Sequence, residues 1–462
     1  MTLHPFANPV FLLRVAKSYL SDVDRLWHID NKQLKSYQDK ALKKMVKYAY
    51  TVPLYHDKYK EAGIHPNDIK GIDDIVKLPF ITKDDLRENY PDRIIPKGFD
   101  KERNFLLSTS GSTGKPVFVY VDAFSAIKSL IAFVRGLKAH GGSWQKTKII
   151  LVIDKSTGSL EHTVFSQSTL PFLNRFIALK NIKYIDIAKK PEAIIKEIDE
   201  FQPEFLGSDP NMLRELAFFR NSGCGENIKL NCIVSGGAML DSYTKTYVEN
   251  SFNAKVVDTY GTTEAGPLAF QCKSGKYYHI HSDFVYLEFL DDKNKPVPSD
   301  IPGHLVVTKL YGKGTPIIRY KGIEDFVTPT TKTECTITSQ TIKQIEGRST
   351  DLIILPNKKF LSPLTVTGIP AQVMDEFNTY KIKQFQIIQQ KIDEIEILIV
   401  IDKKLRNKGP SVKVILEELR KRFSEKIGHG INIVVHEVDE IQKDERLDYV
   451  KVVISKVRKK IG

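Results

Sequence analysis

Cysteine is scarce: four residues, at 224, 232, 272 and 335, in a chain of 462. So few thiols build no disulfide framework, and a reducing cytoplasm is the expected setting. Long apolar runs are also missing. Pro9–Leu13 is interrupted by Arg14, Lys17 and Asp22, while Ile149–Ile153 and Ile397–Ile401 have only strand length. A membrane span needs about 20 apolar residues. Spanning is therefore excluded, and surface contact through the first helix is the only membrane role left open. The opening segment carries no secretory signal. The chain lacks repeats, low-complexity tracts, zinc-finger spacing, an RNA-binding aromatic signature and a helix-turn-helix cue, so no specific nucleic-acid partner is expected. Acidic residues are in deficit: 56 Asp and Glu oppose 69 Lys and Arg, a formal net charge of +13. That balance favours anionic partners such as nucleotides or a phosphate-bearing thiol cofactor.

What remains is the composition of a soluble α/β protein, too long for one small core. Residues 33–50 have helical apolar spacing, which Pro53 is expected to end. Thr82 should cap a helix starting at Lys83. From about 105 to 330, strands such as Ile149–Ile153, Lys183–Ile187, Phe205–Gly207, Cys232–Ser235 and Val256–Asp258 alternate with helix-like Pro191–Phe201, Pro210–Phe219 and Asp241–Phe252. Such alternation predicts a mostly parallel sheet. Residues 283–330 read as a smaller β subdomain. Beyond Gly347-Arg348 a β-β-α-β pattern predicts a small α+β domain, dividing the chain into 1–347 and 348–462. Lys451–Lys460 reads as one amphipathic helix.

Five motifs carry chemistry. Ser108-Thr109-Ser110-Gly111-Ser112-Thr113-Gly114-Lys115 follows a short strand. Its hydroxyls and glycines let backbone N–H groups face phosphate oxygens. Gly111 and Gly114 are too close for a Walker loop, and Pro116 follows the lysine. Asp258-Thr259-Tyr260-Gly261-Thr262-Thr263-Glu264 lies at a strand end, where open α/β sheets bind ligands. Glu264 suits Mg²⁺, and Tyr260 could stack on a base. Ser235-Gly236-Gly237-Ala238 allows close backbone approach to a planar ligand. Arg319-Tyr320-Lys321-Gly322-Ile323-Glu324-Asp325 offers a carboxylate for ribose hydroxyls, and Gly347-Arg348-Ser349-Thr350-Asp351 sits at the domain boundary.

In order and spacing these motifs resemble the acyl-adenylate-forming superfamily of acyl-CoA synthetases, peptide-synthetase adenylation domains and luciferases. Within it the chain is most similar to phenylacetate–CoA ligases and capsular-polysaccharide-type proteins. Ala49-Tyr50-Thr51-Val52-Pro53-Leu54-Tyr55, Ala62-Gly63-Ile64 and Leu78-Pro79-Phe80-Ile81-Thr82-Lys83 look like the opening segments of that branch. The resemblance implies a large AMP-binding domain with mixed sheets and a small mobile α+β domain. It implies ATP, Mg²⁺ and coenzyme A or another acyl acceptor, a small carboxylic acid as substrate, and a monomer or homodimer. By the same resemblance, Ser108 to Lys115 hold the β- and γ-phosphates. Gly236, Gly237 and Ala238 flank adenine, with Tyr260 stacked on it and Gly261 and Thr262 in the same turn. Thr263 and Glu264 meet the α-phosphate and Mg²⁺, Asp325 and Arg348 bind ribose, and Asp351 lies at the hinge.

Two departures stand out. Relatives place a carboxylate directly after the glycine of the ribose segment; here Ile323 and Glu324 intervene before Asp325, so either Glu324 or Asp325 could take the role, with Asp325 favoured. Relatives also carry a catalytic lysine near the C-terminus, where this chain has Asp448 or Tyr449, depending on the flank aligned. Lys451 or Lys443 could substitute. Cys272, His279 and Cys335 resemble three ligands of a zinc site in some relatives, but Ile337 stands where a fourth is usual. Three ligands are too few for a closed structural site, so zinc is not expected, and the plain reading is buried thiols beside a surface histidine.

Overall fold

The computed structural model describes residues 8–109, 116–155, 181–348, 352–356, 360–379, 381–428, 430–442 and 451–457. Contacts divide the chain into two units. One comprises Met1–Ala238, Phe252–Ile323 and Val327–Gln344; the other comprises Met239–Ser251, Glu324–Phe326 and Ile345–Gly462.

Unit 1 opens with α1 (Pro9–Asp22), α2 (Arg25–His28), α3 (Asn31–Ala49), α4 (Pro53–Glu61) and α5 (Lys83–Glu88). A capping box starts α3: the Asp30 carboxylate accepts from the Gln33 N–H, and the Gln33 side chain accepts from the Asp30 N–H. Its stripe of Leu34, Leu42, Met45, Val46 and Ala49 is buried. The helix stops at Ala49, and Pro53 opens α4 instead of closing α3. At the first helical position proline forfeits no hydrogen bond. Thr82 caps α5 as expected, paired with Asp85.

A hairpin of β1 (Phe105–Ser108) and β2 (Phe118–Val121) precedes α6 (Ala123–Ala139). The central sheet is then laid down by β3 (Ile149–Ile153), β4 (Ile182–Asp186), α7 (Pro191–Phe201), β5 (Phe205–Ser208), α8 (Pro210–Asn221), β6 (Cys232–Ser235), α9 (Ser242–Phe252) and β7 (Lys255–Thr262). Strands β8 (Gly266–Gln271), β9 (Tyr278–Ile280), β10 (Val285–Leu290), β11 (Gly303–Lys309), β12 (Asp325–Thr330) and β13 (Thr341–Arg348) complete it. The order is β10-β11-β12-β13-β9-β8-β7-β6-β5-β3-β4. Strands β4, β3, β5, β6 and β7 run parallel, and β7 turns back on β8 antiparallel. The expected parallel sheet is thus only half of a mixed one. Residues 283–330 form no separate sheet: β10, β11 and β12 continue the main one through β13 and β9.

Unit 2 contains β14 (Ile353–Ile354), β15 (Phe360–Leu361), α10 (Pro363–Thr367), α11 (Ile369–Glu376), β16 (Ile382–Lys391), β17 (Glu394–Ile401), α12 (Val412–Ile427), β18 (Asn432–Val438) and β19 (Val453–Ser455). Its sheet runs β18-β17-β16-β19, and α12 buries Ile415, Leu419, Phe423 and Ile427. The chain segment before Phe252 belongs here too. Tyr243 of α9 donates to the Ile382 carbonyl at 2.8 Å and sets its ring edge-on to Phe385. The helix expected over Lys451–Lys460 is absent from the described residues 451–457, of which Val453–Ser455 is a strand. Val453, Ile454 and Ser455 pair with Ile387, Ile388 and Gln389, as β-branched side chains on a sheet edge favour.

Candidate active site

Two motifs of unit 1 lie at neighbouring strand ends. Ser235 ends β6 opposite Asp258 of β7 in parallel register. Thr259 then donates to the Ser235 carbonyl at 2.9 Å, joining the two carboxyl-terminal edges. A Cβ on Gly236 would lie 2.6 Å from the Thr259 hydroxyl oxygen. Glycine therefore lets the chain leave β6 flush against β7. Gly237 is exposed and Ala238 half-buried beside it.

β7 runs on through Tyr260, Gly261 and Thr262, and reverses at Thr263-Glu264-Ala265 into β8. The Thr262 hydroxyl accepts from the Ala265 N–H at 3.1 Å, tightening the turn. Tyr260, Thr262 and Thr263 are half-buried, whereas Glu264 is only 6% exposed. Its Oε1 accepts from the Tyr320 hydroxyl at 3.0 Å.

Tyr320 is itself fully buried, and its backbone pairs with Val307. Gly322 makes room for it: a Cβ there would sit 2.2 Å from the ring. Arg319 has a structural task. It forms a two-point ion pair with Glu288, donates to the Val76 and Leu78 carbonyls, and lies over the Phe80 ring. The Leu78-Pro79-Phe80 corner is thereby fastened behind the site.

The same segment fixes the hairpin that carries the loop Ser108 to Lys115. Tyr120 of β2 exchanges hydrogen bonds with Thr315, accepting from its N–H and donating to its hydroxyl. Tyr48 of α3 donates to the Gly314 carbonyl and accepts from the Gly314 N–H, and Tyr55 of α4 donates to the Pro316 carbonyl. Burial raises the pKa of both phenols, so they stay protonated donors. Thr109 closes the base of the loop: its N–H donates to Val117 and its hydroxyl accepts from the Val117 N–H. Ser108 ends β1. Ser110, Gly111, Ser112, Thr113, Gly114 and Lys115 lie outside the described residues.

In unit 2, Asp325 opens β12 and Arg348 ends β13. Lys451 leads into β19, where its carbonyl accepts from Gln386 at 2.8 Å. Asp351, Lys443, Asp448 and Tyr449 lie outside the described residues.

The expectation of a surface histidine is wrong. His279 on β9 is fully buried. Pairing of Thr341 with His279 draws the segment before β13 alongside, bringing Cys335 to Cys272. The three candidate ligand atoms lie within 4.8 Å of one another. His279 Nδ1 bonds Ser339 at 3.0 Å, while its buried Nε2 has no hydrogen-bond partner. Burial raises the Cys272 pKa, but the His279 ring and the Ser274 hydroxyl outweigh it and the thiol ionises well below its usual range.

The description "AMP-binding enzyme" matches residues 76–311, and "CapK C-terminal domain" matches 361–456. The chain is 25% identical to phenylacetate-coenzyme A ligase of Thermus thermophilus, over 88% of its own length and 92% of that protein. It is 26% identical to Protein CapK of Staphylococcus aureus, over 89% and 87% respectively. Among solved structures, 2-hydroxyisobutyryl-CoA ligase in the postadenylation state superposes with a TM-score of 0.76 at 19% identity, covering 92% of this chain and 90% of that one. At that identity the likeness speaks to the fold. No helix among the described residues is long and apolar enough to cross a membrane.

Proposed function

The chain belongs to the AMP-binding enzyme family, and on that premise we propose that it uses ATP to activate a carboxylic acid as an acyl-adenylate and passes the acyl group to coenzyme A. The observation that carries this reading is Glu264, a carboxylate held by Tyr320 in the turn that follows β7. The names of the relatives, phenylacetate-coenzyme A ligases, favour an aryl or phenylacetate-like acid.

A carboxylate is ionised near pH 7, so adenylation needs no general base. One of its oxygens attacks the α-phosphorus in line. The bond from that phosphorus to the bridging oxygen on the β side breaks, and pyrophosphate leaves with the electron pair. The protein positions the reactants and neutralises charge. Ser108 to Lys115 hold the β- and γ-phosphates. Gly236, Gly237 and Ala238 flank adenine, Tyr260 stacks on it, and Gly261 and Thr262 shape the turn. Thr263 meets the α-phosphate, and Asp325 and Arg348 take the ribose. Glu264 fits Mg²⁺, which binds through one or two carboxylates plus phosphate oxygens and offsets phosphate charge. In the second half-reaction a thiolate sulfur attacks the acyl carbon. The bond from that carbon to the adenylate oxygen breaks, AMP leaves, and the thiol proton passes to solvent. Residues 348–462 act as the mobile domain with Asp351 as hinge. The setting is the cytoplasm, for a monomer or homodimer.

Lys451 stands in for the lysine that relatives carry at the place of Tyr449. Pyrophosphate exchange in two variants tests this. Lys451→Ala should abolish exchange and Tyr449→Lys should change it little. A large gain from Tyr449→Lys with no effect of Lys451→Ala would instead mark a homologue with impaired adenylation.

A second reading rests on the thiol–imidazole cluster. Two sulfurs and one buried, unpartnered ring nitrogen suit Zn²⁺, so Cys272, His279 and Cys335 fit the metal despite Ile337 at the usual fourth place. The ion would tie β8 and β9 to the segment before β13. Metal analysis of the purified chain should find about one zinc per chain, lost in Cys272→Ala. A zinc-free protein whose melting temperature ignores both chelator and added zinc would contradict it.

A further inference from the structure

Eight large apolar side chains are exposed among the described residues, and the three most exposed share one helix: Leu20 at 81%, Val10 at 74% and Leu13 at 71%. All three lie on α1. Spacings of three, four and three place Val10, Leu13, Lys17 and Leu20 in one stripe. Arg14 flanks that stripe, its guanidinium 3.8 Å from the Phe124 ring centroid.

The opposite side of α1 is anchored through polar groups. Ser18 and Asp22 are buried, and Asp22 is ion-paired with Lys128 of α6 and Arg25 of α2. Asn8 caps the first turn through its side chain. The helix is thus fixed with its carboxylate inward and Phe11, Leu12, Val15 and Tyr19 half-buried, which leaves Val10, Leu13 and Leu20 as a second apolar face without cover from its own fold. Asp22 is its only acidic residue, so the outward face carries two cations and no anion.

We propose that α1 is a docking face for an anionic bilayer surface. The helix lies in the interface, with Leu13, Leu20 and Val10 at the boundary of headgroups and acyl chains and Lys17 reaching lipid phosphates. Its 14 residues extend only about 21 Å, too short to cross, so an in-plane position is the geometry available. The net charge of +13 draws the chain to the same surface. A second copy fits less well. Two-fold pairing through α1 would bring Arg14 and Lys17 of both copies together with no exposed carboxylate between them. Three apolar side chains also fall far short of the roughly 20 residues a side of a stable interface.

The test is flotation of the full chain with vesicles of phosphatidylcholine and phosphatidylglycerol at 70:30, against phosphatidylcholine alone. The protein should float with the anionic vesicles, and less as salt rises. Lys17→Glu should lower partitioning by about fivefold or more, and the double variant Leu13→Gln, Leu20→Gln by about tenfold or more. Melting temperature and pyrophosphate exchange should not change. Absence of flotation, or equal flotation of the double variant, overturns the proposal. A dimer mass in light scattering that reverts to monomer in the double variant, with no flotation, assigns the face to a second copy instead.

Discussion

Tyr320 matters because of what its hydroxyl holds. Removing it takes one donor from a buried Glu264 oxygen. Tyr320→Phe should cost about 1–3 kcal/mol of stability and lower exchange by about tenfold or more, read by thermal melts and pyrophosphate exchange. Unchanged exchange would remove Tyr320 from the site. No local pattern could reveal this contact, since it joins positions 56 apart. The sequence marks Arg319-Tyr320 as a motif but not that arginine braces the fold while tyrosine positions the carboxylate. A second residue-scale consequence concerns pH. His281 is fully buried, and burial, then Arg135, whose guanidinium it accepts from at 3.0 Å, hold its pKa well below the ordinary value. The unfolded chain takes up this proton below about pH 6.5, whereas the folded chain refuses it. Stability is therefore intact above that pH and declines below it. Melting temperature should fall between pH 7.5 and 5.5, and His281→Asn should flatten that fall. Asp22 and Asp283 act elsewhere. Each is buried, with lysine or arginine partners outweighing burial and lowering its pKa. Their contribution persists until pH drops below the unfolded carboxylate value of about 4 and is lost through the lower folded value.

At the scale of elements, the site depends on how two strands end. Gly236→Ala would press a methyl against Thr259 and disturb the junction of β6 and β7. Exchange should fall and the KM for ATP rise, while circular dichroism stays that of the parent; an unchanged KM would show that this edge does not face nucleotide. Strands of this region were legible because parallel strands buried on both faces read as continuous apolar runs, as Ile149–Ile153 does. The β7–β8 reversal and the continuation of the sheet through β9 and β13 were not, since they rest on pairing between distant segments. The Lys451–Lys460 stretch misleads for a related reason. Val452, Val453 and Val457 fit a helical stripe, but Val453 finds its partner at Ile387, 66 positions away. His279 reads as a surface residue in the sequence. It is buried because β9 lies between β8 and β13, with Phe270 on one side and Thr341 on the other.

For the whole molecule, the order of motifs along the chain told more than any single motif. The loop Ser108 to Lys115, the strand-end glycines and the Thr263-Glu264 turn are each ordinary alone, and their order along the chain carries the resemblance to the family whose model matches residues 76–311. The described residues hold a carboxylate positioned by Tyr320 and a braced β1–β2 hairpin. The central claim is acid activation, and acid-dependent exchange of labelled pyrophosphate into ATP tests it most directly. With Mg²⁺ and a panel of aryl and phenylacetate-like acids, the account predicts exchange with at least one acid, none without acid, and near-complete loss in Glu264→Gln. ATP binding with no exchange for any acid in the panel would contradict it.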